Sequence, residues 1–329
     1  MKKFLVFLFL IFTITSIVTS CFEAADAWSN GGYSNDSAHP VYGTHDWIAQ
    51  HALDWLPADE KQYLVDNLAA YLYGTELPDN NNASVIGHIG DTTKHHIYFR
   101  STGVLQDDSA AVRAEEEYQN ALGRLNAGNL SGAATTAGVM SHYIADMAVF
   151  AHVMAASTDW GAETGNVHSN YESYVGTRTN AYSDSYNSYL QFDGLLSTVS
   201  AYDAAKNLAY DTTFDNGGIY SCVWMNNNYN SSSPNSPYWV RAGESLNLAV
   251  NAVADVLHTI YISSNAQLTP NLTPSKSPLL SPTATPNSIQ NPTPTITIPE
   301  FPPTTILLLM AALCLMVTLG LVVFHKRKS

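Results

Sequence analysis

The chain has 329 residues, enough for one large domain or two modest ones, and is 46% hydrophobic with only 13% charged residues. Its formal net charge of −14 repels polyanions at long range and argues against nucleic acid as the natural ligand. Of the three cysteines only Cys222 lies between the two apolar ends, which excludes an internal disulfide in the part that folds.

In chain order, Lys2 and Lys3 followed by an apolar run to residue 20 read as the n-region and h-region of a secretory signal spanning 1–27. Two processing sites follow. Ala25-Asp26-Ala27 is an A-x-A site that frees Trp28 as a new N-terminus, whereas Val18-Thr19-Ser20-Cys21 resembles a lipoprotein box that acylates Cys21. Residues 28–263 form the folded part. Apolar residues at three- and four-residue steps predict helices over 46–56, ended by Pro57, over 58–72, stopped by Gly74, and over 110–125, 133–156, 166–175, 201–209 and 239–262. Strand-like alternation is scarce and no internal repeat is visible, so the expected fold class is all-α, a single globular multi-helix domain. Residues 180–236, rich in Tyr and Asn, read as a long polar, partly irregular excursion. The sequons at Asn35, Asn82, Asn129 and Asn230 are candidate glycan acceptors.

Residues 264–303 are crowded with Pro, Thr, Ser and Asn and lack hydrophobic periodicity, so they are expected to form an extended stalk. The segment 304–324 is the expected anchor. Its run Ile306–Phe324, 19 residues without a charge, can cross a bilayer core of about 30 Å at about 1.5 Å per residue. The basic tail 325–329 places the C-terminus in the cytoplasm. The organisation expected is an ectodomain on a stalk, tethered at the cell surface by one transmembrane helix. Residues 28–299 carry nine Lys and Arg against 25 Asp and Glu, which keeps the outer part strongly acidic.

Several polar groups stand where an apolar helix penalises them unless they are compensated. In MSHYIADMAVFAH (140–152), His142 and Asp146 are four apart and project from one face of a helix. His152, ten residues beyond His142, is rotated by about 1000° along a continuous helix, which puts it on an adjacent face and in a second cluster. His168 and Glu172 repeat the four-residue spacing. A His from one helix and an HxxxE pair from another supply three ligands, enough for zinc with one position left open. Further candidates are His45 at the start of a helix, Asp79 in the loop after Tyr73, and the adjacent His95 and His96. A solitary buried His is ordinarily satisfied by one hydrogen bond, and an i,i+4 His/carboxylate pair is ordinarily a helix-surface contact. Two such pairs with several flanking groups point instead to metal, which neutralises the carboxylates and stabilises a disulfide-free fold.

In this order, Thr44-His45-Asp46-Trp47-Ile48, the loop Gly74–Asp79, His96-Ile97-Tyr98, the His142…Asp146…His152 set and His168-Ser169-Asn170-Tyr171-Glu172 resemble the motifs of the bacterial zinc-dependent phospholipases C, relatives of the single-strand-specific fungal nucleases. The resemblance runs over 28–263. In that family the mature chain begins with Trp, whose amino group and carbonyl bind zinc, and this favours cleavage after Ala27 and a role for Trp28. The resemblance implies three zinc ions. Asp79, His96, His142 and Asp146 hold the first; His152, His168 and Glu172 the second; Trp28, His45 and a bridging Asp146 the third. His95, one residue away, is the alternative to His96. Two aromatic positions that line the family's choline pocket correspond here to Asn80 and Thr93, so a choline preference is not implied.

The activity implied is that of an extracellular metal-dependent phosphodiester hydrolase, a phospholipase C. It takes a phospholipid, releases the phosphorylated headgroup and leaves a diglyceride, with Asp79 orienting or deprotonating the attacking water. Two alternatives stand beside it: a nuclease of the sister family, in which Asp usually replaces the Glu found at Glu172, and a non-catalytic surface module stabilised by zinc. His39, His51, His88 and His258 match no motif, and the two on helices, His51 and His258, are expected to pack.

Overall fold

The structure is a computed structural model, and it describes residues 34, 36–85, 87–229 and 236–264. All of these fall in one compact unit. The expected signal, Cys21, Trp28, the stalk, the membrane anchor and the basic tail lie outside the described residues.

The described part is helical: α1 (Thr44–Trp55), α2 (Ala58–Val65), α3 (Leu68–Glu76), α4 (Ser109–Asn126), α5 (Leu130–Asp146), α6 (Val167–Gly176), α7 (Ala201–Phe214), the short α8 (Cys222–Asn227) and α9 (Pro237–Ser263). One small antiparallel hairpin, β1 (Tyr98–Phe99) with β2 (Leu105–Asp107), precedes α4. The all-α expectation holds. Local chemistry sets many of the helix starts. Asn129 Oδ1 accepts from Gly132 N at the head of α5, Ser200 Oγ from Asp203 N at the head of α7, and Pro237 occupies the first turn of α9.

Helix α5 is the centre of the molecule, packed by α3, α4, α9, α1 and α7. From Thr136 to Met154 the chain is buried without interruption. Helix α3 crosses α5 at a contact that only glycine permits: a Cβ on Gly138 would lie 2.0 Å from the Tyr71 carbonyl oxygen, and one on Gly74 2.1 Å from that of Thr135. Gly74 therefore does not stop a helix, as its position in the sequence suggests. The break falls earlier, at Asp66 and Asn67, and α3 runs through Gly74 to Glu76.

One further expectation is corrected. The predicted helix 133–156 ends at Asp146. The amides of Met147, Ala148 and Val149 tighten onto carbonyls three residues back, and Thr212 Oγ1 donates to the freed Met147 carbonyl at 2.6 Å. His152 then sits on a separate 3-10 turn, Phe150–Val153. The excursion 180–236 contains α7 and α8, and its stretch 190–200 is pinned along α9. There Asn247, Asn251, Asp255 and Thr259, four residues apart on one helix face, accept from the amides of Gln191, Asp193, Ser197 and Val199. Helix α9 is long and apolar enough to cross a membrane by length and composition, yet its apolar residues, Leu246, Val250, Val253 and Leu257 among them, are buried in the core. Cys222 is buried and free. The loop after Ala156 is held instead by Asp159, which accepts from the amide and hydroxyl of Ser101, and by Thr164, whose amide donates to Asn226.

Candidate metal centre

The end of α5 brings the ligating side chains together. His142 Nε2 lies 3.2 Å from Asp146 Oδ2, one turn further along the same helix. Helix α1 supplies His45, whose Nε2 is 3.4 Å from Asp146 Oδ1 and whose ring stacks on His142 at 3.9 Å. The turn after α3 supplies Asp79, with Oδ1 3.7 Å from His142 Nε2. His95, which caps the 3-10 turn Thr92–Lys94, brings its Nδ1 to 3.1 Å from Asp146 Oδ2 and 3.2 Å from Asp79 Oδ1. Next to this group, His168 Nε2 on α6 meets Glu172 Oε1 at 2.6 Å, and His152 links the two groups. Its Nδ1 is 3.7 Å from Asp146 Oδ1 and its Nε2 3.8 Å from Glu172 Oε1. Because α5 has ended, this link arises from the chain reversal after Asp146, not from rotation along a continuous helix.

His96 departs from its expected place. Its Nε2 is 3.1 Å from Asp107 Oδ1 and its ring stacks on Tyr98, away from Asp146. His95 closes the 3-10 turn at φ −91° and ψ 39°, and beyond it the Ala110 amide donates to the His96 carbonyl and the Ile97 amide donates to that of His152. The two adjacent side chains leave the backbone in different directions, and it is His95 that faces the cluster. The position three residues before it is Thr92, which lines the neighbouring cavity, where Thr93 does not. Trp28 lies outside the described residues.

Burial and charge act together on these groups. Burial opposes protonation of His142, but Asp146 and Asp79 outweigh it and hold the imidazole above its ordinary pKa. His95, also penalised by burial, is pushed up to about 12 by Asp146, Asp79 and Asp91. Burial favours the neutral form of Asp146, yet His142, His152 and His95 keep it well below the usual carboxylate range. Burial wins at His45, which is lowered, and at His152, which falls to about 3. His168 rises to about 10 because Glu172 and Glu163 overcome its burial. The cluster is thus a buried anion centre surrounded by imidazoles.

Among the described residues, His45 Nδ1 and Nε2, Asp79 Oδ1, both carboxylate oxygens of Asp146 and Nδ1 of His152 have no hydrogen-bond partner. The paired atoms stand 3.1–3.7 Å apart, and none of these pairs forms a hydrogen bond. An unsatisfied buried polar group costs about 1–3 kcal/mol, and a cation placed among these removes that cost at once. Three sets have ligand atoms within 4.8 Å of one another: His45/Asp79/His142, His95/His142/Asp146 and His152/His168/Glu172. Nitrogen and carboxylate oxygen donors in such number suit zinc, and the residues present fit it. A cavity of about 310 Å³ opens onto the centre, lined by His95, His152 and His168 and walled by His96, Tyr98 and Glu163.

Fold and site together define an all-α protein with a buried His/carboxylate centre beside a small cavity. The zinc dependent phospholipase C family model matches residues 44–213, more than half of the chain, and the chain belongs to that family. Among solved structures it is similar to the alpha toxin of Clostridium absonum, with 16% identity, 72% of this chain and 66% of the toxin covered, and a TM-score of 0.46. It is similar also to the Clostridium perfringens alpha-toxin from an avian strain, again with 16% identity, covering 71% and 66%, with a TM-score of 0.39. The match spans just under two thirds of each toxin's length. No curated protein matches the sequence.

Glu163, Asp91 and Thr75 also touch the ligand rings, and sequence reasoning named none of them. Thr75 and Glu163 precede their partners by 67 and five residues with no periodic relation, so no pattern pointed to them. Asp91 stands four residues before His95, a spacing visible in the sequence only once His95 is preferred to His96.

Proposed function

We propose that this protein is a zinc-dependent phospholipase C that acts outside the cell, with the ectodomain 28–263 carried on the 264–303 stalk and held by a helix over 304–324. The observation that carries the reading is the convergence of unpaired buried His and Asp atoms beside a cavity of about 310 Å³. A cavity of that size takes a phosphorylated headgroup and leaves the acyl chains outside. The ligands assigned are His45, Asp79, His95, His142, Asp146, His152, His168 and Glu172, with Trp28 as the N-terminal ligand and three zinc ions in all. Zinc, when bound, supplies Lewis-acid chemistry that offsets the phosphodiester charge and makes water acidic enough to act as a nucleophile near neutral pH. Asp79 holds the attacking water with a carboxylate oxygen and accepts its proton. Water oxygen bonds to phosphorus, the phosphorus–oxygen bond to the diglyceride breaks, the leaving oxygen takes a proton from solvent, and Asp79 returns the one it accepted to solvent. Asp146 stays ionised among its imidazoles and keeps the ligand set in place.

The purified protein incubated with mixed phospholipid vesicles tests this directly, with phosphorus NMR following new phosphomonoester. A monoester signal that appears with zinc and is abolished by a chelator is the expected result, and its shift identifies the headgroup. Zinc-loaded protein that yields no monoester overturns the phospholipase reading.

A further inference from the structure

His142 and His95 present different ring nitrogens to Asp146. His142 turns Nε2 inward, and its outer Nδ1 lies 2.7 Å from the Thr75 carbonyl oxygen, to which it donates. His95 turns Nδ1 inward, and its outer Nε2 lies 3.4 Å from Asp91 Oδ1. Asp91 is held firmly from behind: the Tyr143 hydroxyl donates to Oδ1 at 2.7 Å and Arg113 Nε to Oδ2 at 2.9 Å. Arg113 is itself fixed by Glu117 at 2.8 Å and lies over the Tyr143 ring. Asp91 and His95 flank the single 3-10 turn Thr92–Lys94, whose first bond runs from the Lys94 amide to the Asp91 carbonyl. That short turn puts the carboxylate against the outer edge of the ring.

A neutral imidazole carries one N–H, and whichever nitrogen donates to an outer partner leaves the other free to ligate. The geometry points to Asp91 as a positioning residue: we infer that it keeps the His95 proton on Nε2, so that Nδ1 is the metal-facing atom, and that Tyr143 and Arg113 exist in this network to aim Asp91. This rests on the zinc centre proposed above. Outer carboxylates that orient ligating histidines typically contribute 10- to 100-fold in metal affinity.

The test uses the full chain, zinc counting, competition with a chelator, and NMR of nitrogen-labelled histidine in the zinc-loaded protein. In the wild type His95 is expected to ligate through Nδ1 with a proton on Nε2. Asp91→Asn, still folded by circular dichroism, should weaken one zinc ion by about 10- to 100-fold while zinc held by His152, His168 and Glu172 keeps its affinity. Glu116→Gln, which removes only the outer partner of Arg113, should change nothing. If Asp91→Asn does not fold, Tyr143→Phe carries the test, with the same ion weakened to a smaller degree. Unchanged affinity in the folded variant, or His95 ligating through Nε2, overturns the assignment of Asp91 and leaves the zinc centre standing. A wild-type protein that takes up no zinc overturns both.

Discussion

Asp79 and His142 are neighbours in the cluster, but their replacement separates two kinds of loss. Asp79→Asn keeps size and one oxygen donor while removing the proton acceptor. It is expected to retain most zinc and lose about 10²- to 10⁴-fold in kcat, as measured by metal analysis alongside turnover. Retained turnover would remove Asp79 from the chemistry. His142→Ala deletes a ring shared by two of the candidate ligand sets, so zinc content and activity should fall together. At this scale the sequence was informative wherever two ligands sit four apart on one helix, as for His142 with Asp146 and His168 with Glu172, because that spacing alone brings the side chains together. It was uninformative at His95 and His96. Both are histidine, and the choice depends on how the backbone leaves the 3-10 turn Thr92–Lys94.

Helix α3 owes its position to the Gly74–Gly138 crossing, and through α3 the molecule places Thr75 behind His142 and Asp79 before it. Gly138→Ala forces a methyl onto the Tyr71 carbonyl and should cost about 1–3 kcal/mol in urea unfolding, with weakened zinc binding as α3 shifts. Gly123, inside α4 with nothing within 4 Å of the place a Cβ would occupy, is the matched control. Gly123→Ala should stabilise by about 0.5–1 kcal/mol. A neutral result for Gly138→Ala would mean that the crossing yields easily and does not position the site. Seven helical segments were read from apolar periodicity, of which 58–72 is two helices, α2 and α3, and 133–156 runs ten residues too far. The end of α5 was not readable, because no Gly or Pro marks it. What stops the helix is a tertiary contact, the Thr212 hydroxyl on the Met147 carbonyl.

For the molecule as a whole, zinc and protons compete for the same groups. His168, with a folded pKa of about 10 against about 6.5 in an unfolded chain, contributes stability that is intact below about pH 6.5 and lost as pH rises through about 10. His152, lowered to about 3, acts oppositely: below about pH 6.5 the unfolded chain takes a proton that the fold refuses, so acid costs stability there. Chelated protein should therefore show a Tm that falls between pH 7 and 10. Zinc requires deprotonated ligands, so the rise in Tm on adding zinc should grow over the same range, and free zinc at a thousandfold excess over Kd stabilises by about 4 kcal/mol. Calorimetry of both forms across that window checks this, and a zinc effect that shrinks with rising pH would contradict it. The sequence by itself determined the all-α class, most helix bodies and the two i,i+4 ligand pairs, because helical periodicity and four-residue spacing are local properties. Only the tertiary structure decided that His95 faces inward, that His152 bridges the two groups, and that a cavity lies beside them. Those outcomes rest on contacts between residues distant in the chain, such as Thr75 with His142 and Met147 with Thr212, and no local pattern encodes where such segments meet.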